Sequence, residues 1–140
     1  PGAMLALRRW LDDGGMAGML ADRTLPNQSE RARVATIDFL GRPAHFSDGP
    51  FRLAAMLRRP LFFMAGVYLG GNRYELRFAQ LADFGAEPVA GDALEPDRRI
   101  RAALDAYVSQ LASLCAERPY NWFNFYDFWS DASGSADDDA

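Results

Sequence analysis

The strongest constraint on the fold is a pair of strand-like segments joined by a short turn. The segment Leu61–Leu69 is a continuous apolar and aromatic run, and a Gly-Gly-Asn turn follows it at residues 70–72. The run is too short to cross a bilayer. After the turn, large apolar and charged side chains alternate over residues 74–78, which is the period of a strand with two different faces. The pattern predicts a β-hairpin with a central first strand and a half-exposed second strand.

The segment Pro96–Glu117 predicts the best-defined helix of the chain. Its apolar positions follow helical spacing and would form one buried face: Ile100, Ala103, Leu104, Tyr107, Val108, Leu111, Leu114 and Cys115. Arg118 and Pro119 end the pattern. Because Cys115 lies on the apolar face, it is interpreted as a core thiol rather than a reactive one.

Shorter patterns alternate between helix and strand along the rest of the chain. We expect a short helix at Met4–Leu11, a strand buried on both faces at Met16–Ala21, an exposed loop at Leu25–Arg33, a strand at Val34–Leu40 and a helix at Phe51–Arg58. This alternation predicts an α/β fold with a mixed sheet flanked by helices.

The domain limits follow from composition. A chain of 140 residues, of which 49% are hydrophobic, can form one domain with a core. Pro1–Ala3 is expected to be a remnant of cloning, and residues 4–129 are expected to form the domain. Residues 130–140 contain four of the 19 acids and are expected to be a disordered acidic tail. The 15 acids left in residues 1–130 balance the 15 bases, so no basic excess points to nucleic acid.

Single copies of two residue types exclude several chemistries. Cys115 is the only cysteine, so the chain cannot form an internal disulfide bond. A hydrolase triad or a histidine-rich zinc site would depend entirely on His45, the only histidine. His45 lies between Ala44 and Phe46, so it is interpreted as a loop or packing residue. No phosphate loop or cluster of metal ligands is present in the sequence, and we expect neither a cofactor nor a metal.

Charged residues at the predicted strand and helix ends are the candidate binding residues. Asp22 and Arg23 follow the predicted buried strand, which is where open α/β sheets bind ligands, although a structural ion pair is an equal alternative. Arg42 follows the next strand, and Arg52 lies in the first turn of a helix whose free amides suit an anion. Pro50 fits the start of that helix, with Ser47 or Asp48 as its cap.

The segment Tyr120–Trp129 has seven aromatic residues among its ten. One interpretation is a strap that packs over the core or the sheet edge. The other is a membrane-contacting surface, with Trp122, Phe125 and Trp129 at the lipid interface.

Three blocks of sequence, in this order, resemble a known family: Gly18–Arg23, then Phe39–Ala44 continuing through Gly49–Ala54, then Asn121–Tyr126. They are similar to the carboxyl-terminal half of the lysophospholipid acyltransferase superfamily, in the bacterial branch that includes the lipid A biosynthesis acyltransferases. The resemblance extends from Met4 to Trp129. It implies part of a glycerolipid-acyltransferase-like domain.

The resemblance also implies a reaction and its participants. Family members move an acyl group from an acyl-carrier-protein or coenzyme A thioester to a lipid or glycolipid acceptor. Their general base is the histidine of a His-x-x-x-x-Asp or Glu motif. His45 does not match that motif, because Pro50 stands where the acid should be. The resemblance therefore places the base outside this chain, and we expect this chain alone to be inactive.

The same resemblance assigns acceptor binding to Asp22, Arg23, Arg42 and Arg52, with no catalytic residue in the chain. It implies a protein in the cytoplasm, peripheral to the inner membrane. Half a domain would expose apolar surface, so we expect self-association. Two alternatives stay open: a non-catalytic module that binds a lipid or a protein, and an unrelated α/β domain that binds a small molecule.

Overall fold

The computed structural model of the chain describes residues 2–22, 34–86, 94–123 and 128–129. The predicted loop at Leu25–Arg33, the acidic tail and the candidate residues Arg23 and Phe125 lie outside these described residues. The elements are α1 (Gly2–Asp12), β1 (Val34–Phe39), β2 (Arg42–Ser47), α2 (Gly49–Met56), β3 (Pro60–Gly70), β4 (Arg73–Asp83), α3 (Glu95–Glu117) and a 3₁₀ turn (Pro119–Asn121).

Helices and strands are both present, as the α/β prediction requires, but the sheet arrangement differs from the predicted one. The described strands form two separate antiparallel sheets of two strands each, β1 with β2 and β3 with β4. The prediction of a mixed sheet is therefore wrong for the described residues. Among the described strands, β3 pairs with β4 alone and is therefore not a central strand.

The first hairpin depends on an unusual two-residue turn. Leu40 and Gly41 have φ angles of 55° and 82°, and positive angles at both positions are typical of the turn type whose twist matches a hairpin. The sequence predicted β1 but not β2, because Pro43 cannot donate a backbone hydrogen bond. A two-stranded sheet has only edge strands, where proline is tolerated.

The second hairpin confirms the predicted pairing. Its strands pair in register at Met64 with Phe78 and at Tyr68 with Tyr74. On one face of the hairpin, Phe63 and Val67 are buried. On the other, six large side chains are exposed, and we call them the outer apolar face: Phe62, Met64, Tyr68, Tyr74, Leu76 and Phe78.

Helix α3 is the element against which most of the fold packs. It contacts α2, β1, β4 and the 3₁₀ turn. Its buried residues are those that the helical spacing predicted, except that Tyr107 and Leu114 are half-buried: Ile100, Ala103, Leu104, Val108, Leu111 and Cys115. Together with Phe39, Phe46 and Phe51 they form one hydrophobic core. The thiol of Cys115 lies within this core, as predicted.

The predicted buried strand at Met16–Ala21 is wrong. These residues have no regular secondary structure, and Met16 is 90% exposed. An apolar run of this length fits a strand only where neighbouring strands cover it, and none of the described strands pairs with this segment. Only its end reaches the core, where Ala21 is in contact.

Helix α1 confirms the first helical prediction, although it begins at Gly2. It has no buried residue and is held by polar contacts, including an ion pair between Asp12 and Arg59. Within the described residues, no helix has both the length and the apolar character needed to cross a membrane.

Candidate functional site

Arg52, one of the predicted binding residues, forms hydrogen bonds with carboxylates of two helix starts. Its Nε donates a hydrogen bond to Asp48 Oδ2 at 2.6 Å, and its Nη1 donates to Asp97 Oδ1 at 2.9 Å. Asp48 is nearly buried at the start of α2, whereas Asp97 lies in the first turn of α3. The guanidinium group therefore joins the beginnings of two helices.

Of the two residues predicted to cap α2, Asp48 occupies the capping position and Ser47 supplies the oxygen. Asp48 occupies the N-cap position but makes no side-chain capping bond, because its carboxylate binds Arg52. Ser47 Oγ instead accepts a hydrogen bond from the backbone N–H of Gly49 at 3.2 Å. Pro50 lies in the first turn, as predicted.

A shallow cavity of about 170 Å³ lies beside this network. Its lining includes Asp48, Arg52 and Asp97 together with apolar side chains of β1 and α3. The hydrogen bond to Asp48 is the main cause that raises the pKa of Arg52 above its ordinary value, with a smaller contribution from Asp97. Two carboxylates already occupy the guanidinium, so an anion would have to compete with them. The structure thus favours a positioning role for Arg52 over acceptor binding.

Arg42 has a different environment, at the other end of β2. Its guanidinium carbon lies 5.2 Å from the centre of the Trp129 ring, a cation–π contact that orients the side chain. Arg42 is exposed, and among the described residues no carboxylate forms an ion pair with it. An oriented, exposed guanidinium can accept a phosphate or a carboxylate through two parallel hydrogen bonds.

Arg42 and Arg52 do not form one site. The strand β2 places Ser47 about 16 Å from Arg42 at 3.3 Å per residue, and Arg52 binds Asp48 just beyond that far end. The sequence offered no measure of this separation, because the intervening β2 was not predicted.

The aromatic segment packs on the core where it is described. The Trp122 ring meets Phe39 at 5.4 Å and Phe128 at 5.0 Å between centroids, and Trp129 stacks on Phe39 at 6.1 Å. Phe128 is buried. These contacts are those of the strap interpretation. Within the described residues of this segment, the exposed aromatic side chains are Tyr120 and Phe123, which the membrane interpretation does not include.

The amino-terminal end of the aromatic segment Tyr120–Trp129 is also bonded to the second hairpin. Asn121 Oδ1 accepts a hydrogen bond from the backbone N–H of Tyr68 at 2.5 Å. This N–H lies on the edge of β3 that does not pair with β4. Asn121 thus satisfies a polar group that an edge strand would otherwise present to solvent.

Asp22 lies near the aromatic residues of the core rather than at a strand end. The charge of Asp22, added to the larger effect of burial, raises the pKa of the Tyr107 hydroxyl well above its ordinary value. The Tyr107 ring is surrounded by Phe46, Phe51 and Phe63 at centroid distances of 5.6 to 6.5 Å. The sequence predicts Tyr107 only as a core position, because no local pattern places Asp22, 85 residues earlier, beside it.

The last two titratable residues considered, His45 and Cys115, have the surroundings of residues that maintain the fold. His45 lies on β2, where its Nδ1 is 3.1 Å from Thr36 Oγ1 across the hairpin. Burial raises the pKa of the Cys115 thiol, which lowers its thiolate fraction and hence its reactivity. In the part of the chain that the structure describes, no group of acidic, histidine and cysteine side chains is arranged to bind a metal ion.

Searches against protein-family models, curated proteins and solved structures found no match to this chain.

Proposed function

We propose that the chain is the carboxyl-terminal part of an acyltransferase that moves an acyl group from an acyl-carrier-protein or coenzyme A thioester to a lipid or glycolipid acceptor. The general base would be supplied from outside this chain. The proposed location is the cytoplasmic surface of the inner membrane, where a lipid acceptor is accessible. No cofactor is required for a direct transfer from a thioester.

One observation carries the proposal: two of the three family-like blocks, far apart in sequence, pack on each other. Phe39 begins the second block and Trp122 belongs to the third, and their rings are in edge-to-face contact. Arg42 of the second block lies over Trp129, which follows the third block. Motifs that define one fold are expected to share contacts in this way, whereas unrelated sequence matches have no reason to converge.

The geometry changes the proposed roles of the acceptor-binding residues. Arg42 is the one we assign to an anionic group of the acceptor, because its guanidinium is both exposed and oriented by Trp129. Arg52 and Asp48 would hold the start of α2 in place. Asp22 would act near Tyr107, and Arg23 retains its proposed role next to Asp22.

The test is acyl transfer from acyl-carrier protein or acyl-coenzyme A to a bacterial lipid extract. We expect no turnover by this chain, and turnover by the product of the complete reading frame that encodes it. In that product, Arg42→Ala should raise the KM for the acceptor about tenfold, because one charge-assisted hydrogen-bonded pair is lost. Arg42→Lys should raise this KM less, because the positive charge is kept. Arg73→Ala, at the start of β4, is the control and should leave KM unchanged.

Two results would contradict the proposal. A complete reading frame without a His-x-x-x-x-Asp or Glu motif before residue 4 would remove its chemical basis. Turnover by this chain that is lost in His45→Ala would show that the base lies within it.

A non-catalytic lipid-binding module is a second candidate, favoured by the exposure of Tyr120 and Phe123 beside the 3₁₀ turn. Sedimentation with vesicles of phosphatidylethanolamine and phosphatidylglycerol tests it. The double variant Tyr120→Ala, Phe123→Ala should then lose binding, whereas Met56→Ala, which removes a large exposed apolar side chain on α2, should not. Equal binding by all three proteins would remove the strap as a lipid contact.

A further inference from the structure

We propose that the outer apolar face of the β3–β4 hairpin is the surface through which two copies of this chain associate. The inference concerns the chain of 140 residues itself and does not depend on the proposed acyl transfer. It begins from the six large side chains of that face, whose exposed fractions range from 46% to 67%: Phe62, Met64, Tyr68, Tyr74, Leu76 and Phe78.

Over residues 74–78, the alternation of β4 is the reverse of that expected for a strand with one face in water. Its charged residues Glu75 and Arg77 pair with Val67 and Ala65, on the face that turns towards α3. There Arg77 forms two hydrogen bonds with Glu117 at the end of that helix. The large apolar side chains of residues 74–78 point away from the core, whereas Ala79 and Leu81 further along β4 pack against it. A half-buried antiparallel strand normally has the opposite arrangement, with apolar side chains on its buried face. The exposed face of this hairpin therefore has the side chains that are usual for a buried face.

The area of the face fits a dimer. Large side chains bury about 150–250 Å² each, so the observed exposures leave roughly 650 Å² of the six side chains open. That exceeds the largest patch on a typical monomer, about 300–600 Å². Two such faces together would bury about 1,300 Å², which lies within the 1,200–2,000 Å² of specific protein interfaces.

The charge distribution favours a second copy as the occupant. The two remaining positions on the face are Gly66 and Gln80, so it carries no charged group. An anionic membrane surface would select several basic residues beside an apolar face, whereas the eight positions of this face hold none and Arg73, at the turn end, is the basic residue next to them along β4. Because residues 1–130 have equal numbers of acids and bases, these parts of two copies can approach without net charge repulsion.

The shape of the face is compatible with self-pairing. An antiparallel two-stranded ribbon has an approximate two-fold axis perpendicular to its plane, so a second ribbon can stack on it with the same residues in contact from both copies. Gly66 leaves a notch opposite Leu76, whose Cδ2 would lie 3.8 Å from an added Cβ. A side chain from the other copy can enter this notch.

Sedimentation equilibrium at about 1 to 100 µM, where standard interfaces associate, tests the proposal. The mass of the wild-type chain should rise from near the monomer value of 15.5 kDa at the low concentration to near twice that value at the high one. Met64→Glu should weaken association about 100-fold, because a dimer would bury an unpaired carboxylate. Met56→Glu is the matched control: Met56 on α2 is also 65% exposed but lies off the face, so this variant should behave as wild type.

A second measurement on the unsubstituted chain avoids any effect of a variant on folding. Oxidation by hydrogen peroxide should modify Met64 about fivefold more slowly at the high concentration than at the low one, while Met56 oxidises at one rate. A monomeric wild-type chain, including one that instead sediments with phosphatidylcholine vesicles, would overturn the proposal. Equal effects of the two glutamate variants, or no change in Met64 oxidation, would do the same.

Discussion

At the scale of single residues, the contacts of a charged group decide whether it binds a ligand or holds the fold. Arg42 and Arg52 are both candidates by sequence, yet Arg42 lies over an aromatic ring and Arg52 is bound by two carboxylates. Asp48 is four residues before Arg52, a spacing that the sequence displays. Asp97 is 45 residues after it, and only folding brings it near.

The two partners of Arg52 should differ in their contribution to stability. Asp48→Ala should lower the free energy of unfolding by about 1–2 kcal/mol, because it removes a charge-assisted hydrogen bond from a nearly buried position. Asp97→Ala should cost less than about 0.5 kcal/mol, because the Asp97 side chain is 62% exposed. Urea denaturation measures both, and equal losses would contradict this ranking.

At the scale of elements, local pattern and tertiary environment agree for some segments and disagree for others. Helix α3 follows its apolar spacing because one continuous face meets the core over its whole length. The apolar segment Met16–Ala21 has no such face and remains irregular. The first hairpin forms although its turn contains Leu40 in a left-handed conformation that leucine rarely adopts.

That turn offers a stabilising substitution. Leu40→Asn should raise the free energy of unfolding by about 0.5–1 kcal/mol, because asparagine tolerates a φ of 55° and Asn-Gly is the preferred pair in this turn. Leu40→Ala is the control, since it also removes the leucine side chain but gains no preference for the left-handed region. In urea denaturation, the free energy of unfolding of Leu40→Asn should be higher than that of wild type, and that of Leu40→Ala should be equal to or lower than that of wild type. The reverse order would refute the turn assignment.

At the scale of the whole molecule, a long-range ion pair adds to the packing between β4 and α3. Arg77 on β4 donates from Nη1 to Glu117 Oε2 at 2.5 Å and from Nη2 to Oε1 at 2.8 Å. The hydrogen bonds from Arg77 lower the pKa of Glu117 below its ordinary value near 4.5. The pair fixes the hairpin to the end of α3.

The lowered pKa makes this connection dependent on pH in a defined direction. Its contribution to stability is complete above pH 4.5, where Glu117 is ionised in both the folded and the unfolded chain. It should be lost as the pH falls through the lower pKa of the folded state. Glu117→Gln should therefore be less stable than wild type at pH 7, and the difference should close in strong acid.

A double-mutant cycle isolates that effect. In an Arg77→Gln background, the change Glu117→Gln should have a much smaller pH-dependent cost, because the main partner that lowers the pKa of Glu117 is absent and only the weaker effect of Arg118 is left. Urea denaturation from pH 7 to pH 2.5, roughly two units below the ordinary value for a glutamate, covers the range. A difference that persists unchanged into acid would show that the pair does not determine it.

The sequence by itself determined α1, α3, the β3–β4 hairpin, β1 and the core position of Cys115, because each depends on the spacing of neighbouring side chains. Tertiary structure decided which hairpin face is covered, that Met16–Ala21 stays irregular, and that Asp97 and Asp22 lie beside Arg52 and Tyr107. These features depend on segments distant in the chain. Periodicity reports that a strand has two different faces, but only the packing of α3 against one of them determines which face is buried.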